Sequence, residues 1–160
     1  MSGFSVRRAT ADDAGLMADL TRTCWAGKVS PGSSGHRETA HKVAQQLRAG
    51  GGFVLLQQGV AVGSVRWLPL DGAPDVWEIL RMGLLPAVRG HKRSDHLLAA
   101  VAEAARAAAV TELRLAVRHD QPRLLDFYAA HGFVMAAELA YNHANPLEPA
   151  PPMMRRRLCP

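Results

Sequence analysis

The sequence contains no apolar run close to the ~20 residues that a membrane-spanning helix requires. Its first residues, Met1–Arg8, lack the apolar segment of a signal peptide. It has only two cysteines, Cys24 and Cys159, which lie far apart and have no metal-ligand spacing around them. We therefore expect a cytoplasmic protein with free thiols and no membrane partner, although one disulfide between the two cysteines stays open.

Metal-binding motifs and signs of a second domain are also missing. The seven histidines include no H-x-x-x-H pair on a predicted helix. His91 and His96 are five residues apart, which is the wrong spacing for one helix face. No internal repeat can be recognised. The sequence thus predicts one domain over residues 1–160 and no metal cofactor.

The composition is typical of a globular domain with a basic surface. Of the 160 residues, 48% are hydrophobic and 21% are charged, and the formal net charge is +5. This charge fits a nucleic acid, a membrane surface or a phosphorylated cofactor, and does not choose among them. The stretch MMRRRL near the C-terminus has no stacking aromatics. It therefore favours a strand with solvated arginines, and nucleic acid is not an expected partner.

Hydrophobic periodicity divides the chain into helices and strands. Alternation over Phe4–Arg8 predicts a strand, and Thr10 with Asp13 predicts the start of a helix that runs to about Trp25. The remaining predicted elements, in chain order, are a helix over Glu38–Ala49, a hairpin of Phe53–Leu56 and Val60–Leu68, a strand over Val76–Leu85, a helix around Leu97–Ala108, a strand over Glu112–Val117, a short helix from near Pro122, and strands over Phe133–Ala140 and Met153–Leu158. The order β-α-α-β-β-β-α-β-α-β-β predicts an α/β fold with a mixed sheet, antiparallel in the middle and parallel around the long helix.

The stretch LLPAVRGHKRSDHLL, from Leu84 to Leu98, joins a predicted strand to the Ala-rich helix. Backbone N–H groups and the positive end of a helix bind anions, and glycine lets the chain approach a phosphate closely. The stretch alone fits either such a phosphate loop or a solvated basic turn that caps the helix.

Together with DQPRLLDFYAAHGF, this stretch resembles the GNAT superfamily of N-acetyltransferases, and the resemblance covers nearly the whole chain. Leu84-Leu85-Pro86 matches the family's V-x-P-like strand ending. The following residues match its R/Q-x-x-G-x-G/A loop, with lysine in place of the first glycine and serine at the last position. The resemblance implies that the loop binds the pyrophosphate of coenzyme A, through Arg89, Gly90, His91, Lys92, Arg93 and Ser94.

The second match follows the pattern N-x-x-A-x-x-[LF]-Y-x-x-x-G-[FY], with Gln121 in place of Asn and Leu124 in place of Ala. Tyr128 holds the tyrosine position, and the resemblance implies that it protonates the departing coenzyme A thiolate. Gln121 is assigned to cofactor binding by the same match. A phenol is neutral at neutral pH and can donate a proton. The alternative is a core aromatic whose hydroxyl reaches a protein partner.

The strand before the loop supplies the remaining candidates. Glu78 lies in an otherwise apolar strand where many family members carry a general base for the protonated amine. The alternative is a solvated carboxylate that pairs with Arg66. Gly83 predicts a bulge or a close backbone approach, or a plain packing contact. The resemblance implies that Met82, Gly83 and Leu84 contact the pantetheine arm with their backbone, and that one N–H stabilises the oxyanion.

These matches predict an acetyl-CoA-dependent N-acetyltransferase that acetylates a primary amine of a small molecule or peptide by direct attack in a ternary complex. A homodimer, common in the family, stays open. Two alternatives also stay open: a non-catalytic acyl-CoA sensor on the same fold, and a small basic nucleic-acid-binding protein suggested only by the charge.

Overall fold

The computed structural model describes residues 3–26, 34–89, 93–118, 121–139 and 150–158. Within these ranges the chain forms seven strands and four α-helices, with three short 3-10 turns. In chain order the elements are β1 (Phe4–Arg8), α1 (Ala14–Trp25), α2 (Ala40–Ala49), β2 (Gly51–Gln57), β3 (Val60–Leu70), β4 (Ala73–Leu84), α3 (Ser94–Ala107), β5 (Glu112–Ala116), α4 (Arg123–Ala130), β6 (Val134–Met135) and β7 (Met153–Arg157). The predicted order of helices and strands is confirmed.

The strands form one mixed sheet in the order β1-β2-β3-β4-β5-β7-β6. Every neighbouring pair is antiparallel except β4 and β5, which are joined through α3 and run parallel. The β2–β3 hairpin closes with Gln58 at φ 49° and Gly59 at φ 82°. Two consecutive residues with positive φ angles are typical of a type I′ turn, whose twist matches that of the strands.

The helices cover the two faces of the sheet. Because side chains alternate along a strand, Val54 and Leu55 of β2 point to opposite faces. Val54 packs with apolar residues of α1 and α2, whereas Leu55 belongs to the larger core formed with α3 and α4. The candidate active site lies at the end of β4, between the α1 and α2 layer and the α3 and α4 layer.

Two predicted elements have different bounds in the structure. Helix α2 begins at Ala40, because Thr39 is its N-cap and accepts a hydrogen bond from the backbone N–H of Lys42 at 3.2 Å. Glu38 therefore precedes the helix and does not start it. Of the strand predicted over Phe133–Ala140, the described residues form only Val134–Met135. At its start, the N–H of Phe133 bonds back to the carbonyl of Tyr128 at the end of α4, and beyond it the N–H of Leu139 bonds to the carbonyl of Ala136 in a turn.

No helix in the described ranges is long and apolar enough to cross a membrane.

Candidate active site

Strands β4 and β5 pair over a short distance and then separate. Their parallel register covers only Val76–Glu112, Trp77–Leu113 and Glu78–Arg114, although β4 continues to Leu84. In the described part of the chain, no strand pairs with the β5 side of β4 beyond Glu78. A gap opens between the carboxyl ends of two parallel strands, which is the usual position of a ligand site in an α/β sheet.

A β-bulge bends β4 at the start of this gap. Opposite β3, the register passes from Arg66–Leu80 to Ser64–Gly83, so Arg81 and Met82 together face one β3 residue. Arg81 has a φ of 55°, which is costly for a residue with a side chain. The bulge therefore lies just before Gly83, at the two residues that re-aim the end of the strand.

Gly83 is the point where α1 approaches β4. A Cβ atom on Gly83 would lie 2.9 Å from Cζ3 of Trp25 and 3.2 Å from Cβ of Cys24. The first contact is shorter than real Cβ atoms show and the second is tighter than most, so a side chain at position 83 would force α1 or β4 to shift. The structure therefore gives Gly83 a close-packing role, on the face opposite α3.

The Arg89 side chain fastens the end of α1 to the end of β4. Its Nε donates to the carbonyl of Leu84 at 3.2 Å, and its Nη2 donates to the carbonyl of Cys24 at 2.6 Å. The latter is one of the last carbonyls of α1, where a cation is favoured by the helix dipole. Nη1 is buried and has no hydrogen-bond partner in the described part of the chain.

The predicted phosphate loop is described only at its ends. Gly90, His91 and Lys92 lie outside the described residues. Arg93 stacks on β1, with its Cζ 4.0 Å from the centroid of the Phe4 ring. Ser94 is the first residue of α3, at the positive end of that helix.

Tyr128 lies in α4 on the α3 side of the sheet. It is buried, and its ring stands edge-on to those of Phe127 and Phe133, at centroid distances of 5.1 and 5.8 Å. Burial raises the pKa of its phenol to about 12, although the charge of Arg118 opposes the shift. Among the described residues none forms a hydrogen bond with the hydroxyl. The alternative of a core tyrosine bonded to a protein partner therefore finds no support in these ranges.

Glu78 lies on the opposite face of the sheet, toward α1 and α2. It is 4% exposed, so the alternative of a solvated carboxylate is wrong. The residue opposite Glu78 on β3 is Leu68, whereas Arg66 lies opposite Leu80. Arg66 instead forms an ion pair with Glu38.

Glu38 organises a buried polar cluster that the sequence did not reveal. Its Oε1 accepts from Nη2 of Arg66 at 2.5 Å and from Nε of Arg81 at 2.8 Å. Arg66 also donates to Gln46 of α2 at 2.6 Å and to Thr21 of α1 at 3.3 Å. The cluster joins α1, α2, β3 and the β4 bulge. A glutamate at the start of a predicted helix is typical of a solvated first turn, so the pattern gave no signal of burial.

Arg118 is the second residue that the sequence did not single out. It follows the buried Val117 at the end of the β5 segment, and its Cζ lies 4.7 Å from the centroid of the Trp25 ring. The turn after it includes Gln121, whose N–H donates to the carbonyl of Arg118 at 3.0 Å. The sequence could have indicated Arg118 as a candidate site residue, because it is a basic residue just after β5, at the carboxyl end of a parallel strand.

Cys24, near the end of α1 and next to Gly83, is a neutral thiol. Burial raises its pKa to about 11, against the opposing charges of Arg89 and Arg118. A thiol reacts as its thiolate, so Cys24 is a poor nucleophile near neutral pH. In the described residues no group of three or more His, Cys, Asp or Glu side chains is arranged to hold a metal ion.

Solved acetyltransferases share this fold. The PaiA N-acetyltransferase of Thermoplasma acidophilum, in complex with coenzyme A, superposes with a TM-score of 0.77 at 15% identity over 97% of this chain and 99% of that one. An acetyltransferase of Streptococcus agalactiae gives 0.76 at 19% identity, over 99% and 100%. The ribosomal-protein-alanine N-acetyltransferase of Brucella melitensis gives 0.75 at 16% identity, over 96% and 99%. Identities this low show a common fold alone.

The sequence itself matches a family model. No curated protein is similar enough to count as a match. The model described as the acetyltransferase (GNAT) family, however, matches residues 17–133, which include the bulged strand β4, the start of α3 and Tyr128. With the separation of β4 from β5 and the shared fold, this match shows that the chain belongs to the GNAT acetyltransferase family.

Proposed function

We propose that the protein is an N-acetyltransferase that moves an acetyl group from acetyl-CoA to a primary amine by direct attack in a ternary complex. The observation that carries the proposal is Tyr128, a buried side chain whose hydroxyl bonds no described residue, on a family scaffold whose β4 and β5 separate. A hydroxyl that is not engaged by the protein can donate its proton to a ligand.

The residues around the gap fit acetyl-CoA. Pairing of β4 with β5 stops at Glu78, so the β5 side of the following β4 residues can hydrogen-bond an amide-containing arm, as a neighbouring strand would. In this assignment Met82, Gly83 and Leu84 contact the arm. Beyond it, the positive end of α3 at Ser94 favours a phosphate group. In this assignment the loop residues Arg89–Ser94 hold the pyrophosphate.

Glu78 and Tyr128 divide the proton transfers between them. Glu78, on the α1 and α2 face, accepts a proton from the amine, directly or through water, so that the nitrogen lone pair can attack the thioester carbon. When the carbon–sulfur bond breaks, Tyr128 donates its proton to the sulfur. A backbone N–H at the β4 bulge stabilises the oxyanion of the tetrahedral intermediate.

Direct attack is favoured over a covalent acetyl-enzyme. The cysteine at the site is Cys24, and its raised pKa keeps it protonated near neutral pH. Steady-state kinetics with acetyl-CoA and a panel of small-molecule and peptide amines tests this. Intersecting double-reciprocal lines are expected, and Cys24→Ser should retain transfer. Parallel lines together with an inactive Cys24→Ser variant would overturn direct attack.

Binding must be measured separately from transfer. Calorimetric titration with acetyl-CoA is expected to show one site, with coenzyme A released as free thiol only when an amine is present. Tight binding without transfer to any amine of the panel would make the protein an acyl-CoA sensor. No binding at all would reject the assignment of the cofactor.

A further inference from the structure

The first turn of α3 carries a carboxylate at the end of the helix where the proposed function places the pyrophosphate. Helix α3 begins at Ser94, and Asp95 is the acidic residue of its first turn. An anion at this position stabilises the helix by itself, because the N-terminal end of a helix carries a partial positive charge. The same carboxylate repels a second anion, so a phosphate at Ser94 has to share the helix end with a negative side chain.

His131 binds this carboxylate. Oδ1 of Asp95 accepts a hydrogen bond from Nε2 of His131 at 2.9 Å, and both side chains are partly exposed. An ionised carboxylate can only accept hydrogen bonds, so the proton of this bond lies on Nε2. The N–H dipole of the imidazole, or its full positive charge when the ring is protonated, therefore offsets the negative charge of Asp95.

The position of His131 is fixed by α4. His131 directly follows this helix, and its backbone N–H donates to the carbonyl of Tyr128 at 2.9 Å. Its ring packs against the ring of Phe127, with the two centroids 4.9 Å apart. The C-terminal end of a helix also favours a positive group. The imidazole is thus held between the last turn of α4 and the first turn of α3.

The neighbours of Asp95 at the start of α3 contact a different element. Cζ of Arg93 lies 4.0 Å from the centroid of the Phe4 ring in β1, and the ring of His96 lies parallel to the same ring at 6.5 Å. Among the described residues, only His131 forms a hydrogen bond or an ion pair with the Asp95 side chain. Arg93 and His96 are therefore engaged with β1, and Asp95 with α4.

These contacts suggest how the start of α3 can accept a phosphate despite its carboxylate. Resting on the proposed function, we propose that His131 is a positioning residue for acetyl-CoA, which binds Asp95 and offsets its charge so that the positive end of α3 can accept the pyrophosphate. Without His131 the carboxylate is released from α4, and its charge acts on the phosphates. His131 acts through Asp95 and takes no part in the transfer of the acetyl group.

Two substitutions of His131 separate its N–H from its packing. His131→Leu fills similar space beside Phe127 but has no donor, whereas His131→Gln keeps a side-chain N–H. In calorimetric titrations, His131→Leu should raise the Kd of acetyl-CoA about fivefold, the effect of a unit charge about 4 Å away in water. His131→Gln should recover most of this loss. Because the repulsion is electrostatic, the loss in His131→Leu should shrink as the salt concentration rises.

Asp95→Asn is the reciprocal test. In the His131→Leu background it should return the Kd to within about twofold of the parent's, because the repelling charge is gone. Alone it should lower the Tm, since the helix end loses its anion, without weakening acetyl-CoA binding. A contact that only fastens α3 to α4 would make each substitution lower stability and affinity together. That result, or a failure of Asp95→Asn to restore affinity, would overturn the proposal.

Binding by the parent protein separates this proposal from the proposed function. If the parent binds no acetyl-CoA, the cofactor assignment is rejected and this proposal with it. If the parent binds acetyl-CoA and His131→Leu binds it equally well, the positioning role alone is overturned. In steady-state kinetics, the KM for acetyl-CoA should rise in His131→Leu and the KM for the amine should not follow it. An equal rise of both would contradict a role at the pyrophosphate.

Discussion

Glu38 and Arg66 form an ion pair in which neither side chain is exposed, with Oε1 and Nη2 separated by 2.5 Å. The pair connects the segment before α2 to the centre of β3, and Arg81 at the β4 bulge shares the same carboxylate oxygen. The ion pairs of Glu38 therefore connect the bulge in β4 to the segment just before α2.

Removing this carboxylate should destabilise the protein strongly. Glu38→Gln leaves the fully buried Arg66 guanidinium without its carboxylate partner, which should lower the free energy of unfolding by about 3–5 kcal/mol. The matched control is Asp19→Asn, which breaks the exposed pair with Arg22 and should cost less than about 0.5 kcal/mol. Urea unfolding measures both, and equal losses would contradict the assigned role of burial.

The same pair makes stability depend on pH. Burial alone would raise the pKa of Glu38, but Arg66 and Arg81 hold it below its ordinary value of 4.5. A depressed pKa in the folded state means that the contribution is complete above the unfolded pKa and is lost as pH falls through the folded one. The parent should therefore lose more stability than Glu38→Gln between neutral and acid pH. Parallel losses would contradict this.

Tyr128→Phe should separate chemistry from folding. Removing the hydroxyl should lower kcat by about 10²–10⁴-fold, the usual contribution of a general acid, with little change in the Kd of acetyl-CoA. No described residue bonds this hydroxyl, so the free energy of unfolding should change by less than about 1 kcal/mol. Since the phenol pKa is about 12, Tyr128 should cause no fall in rate on the alkaline side near neutrality. Unchanged turnover would remove the acid role.

Glu78→Gln should lower the rate of transfer and leave the cofactor site intact. If Glu78 takes the amine proton, the amide cannot replace it, and kcat/KM should fall by about 10²–10⁴-fold. The amide is nearly the same size, so the Kd of acetyl-CoA should persist. A kcat/KM equal to the parent's would show that another base or the solvent takes the proton.

Alanine substitutions at Gly83 in β4 and at Gly15 in α1 should change the stability of the protein in opposite directions. Gly83→Ala places a Cβ 2.9 Å from Trp25, and the forced shift should cost about 1–3 kcal/mol and weaken acetyl-CoA binding. Gly15→Ala, in α1 with no atom within 4 Å of the new Cβ, should stabilise the protein by about 0.5–1 kcal/mol. Thermal unfolding distinguishes them, and similar shifts would argue against close packing at Gly83.

The sequence predicted the elements well wherever their signal is local. The alternation in Phe4–Arg8 and in Glu112–Val117 predicted strands that the structure contains as β1 and β5. The prediction was less good where an element ends by a hydrogen bond to a distant residue or to a preceding helix. Phe133 reads as a strand residue, yet its N–H closes the end of α4, so β6 begins one residue later.

The candidate site was predictable only in part. Tyr128 and Glu78 could be named as candidates because the motif spacing of one and the apolar setting of the other are visible along the chain, and their roles stay predictions. Glu38 was missed because its partners, Arg66 and Arg81, are 28 and 43 residues away. Arg118 was missed because its stack with Trp25 exists only after α1 packs against β4.

The sequence by itself determined the order of helices and strands, the family and the two residues proposed for proton transfer. Each of these depends on periodicity or on short spacings, which act between near neighbours in the chain. Only the tertiary structure decided that Glu78 is buried, that Glu38 is the partner of Arg66, and that Arg118 and Trp25 span the gap beside β4. The reason is that burial and charge pairing depend on which elements the folded sheet brings together, and strand order and helix packing are not encoded within any one segment.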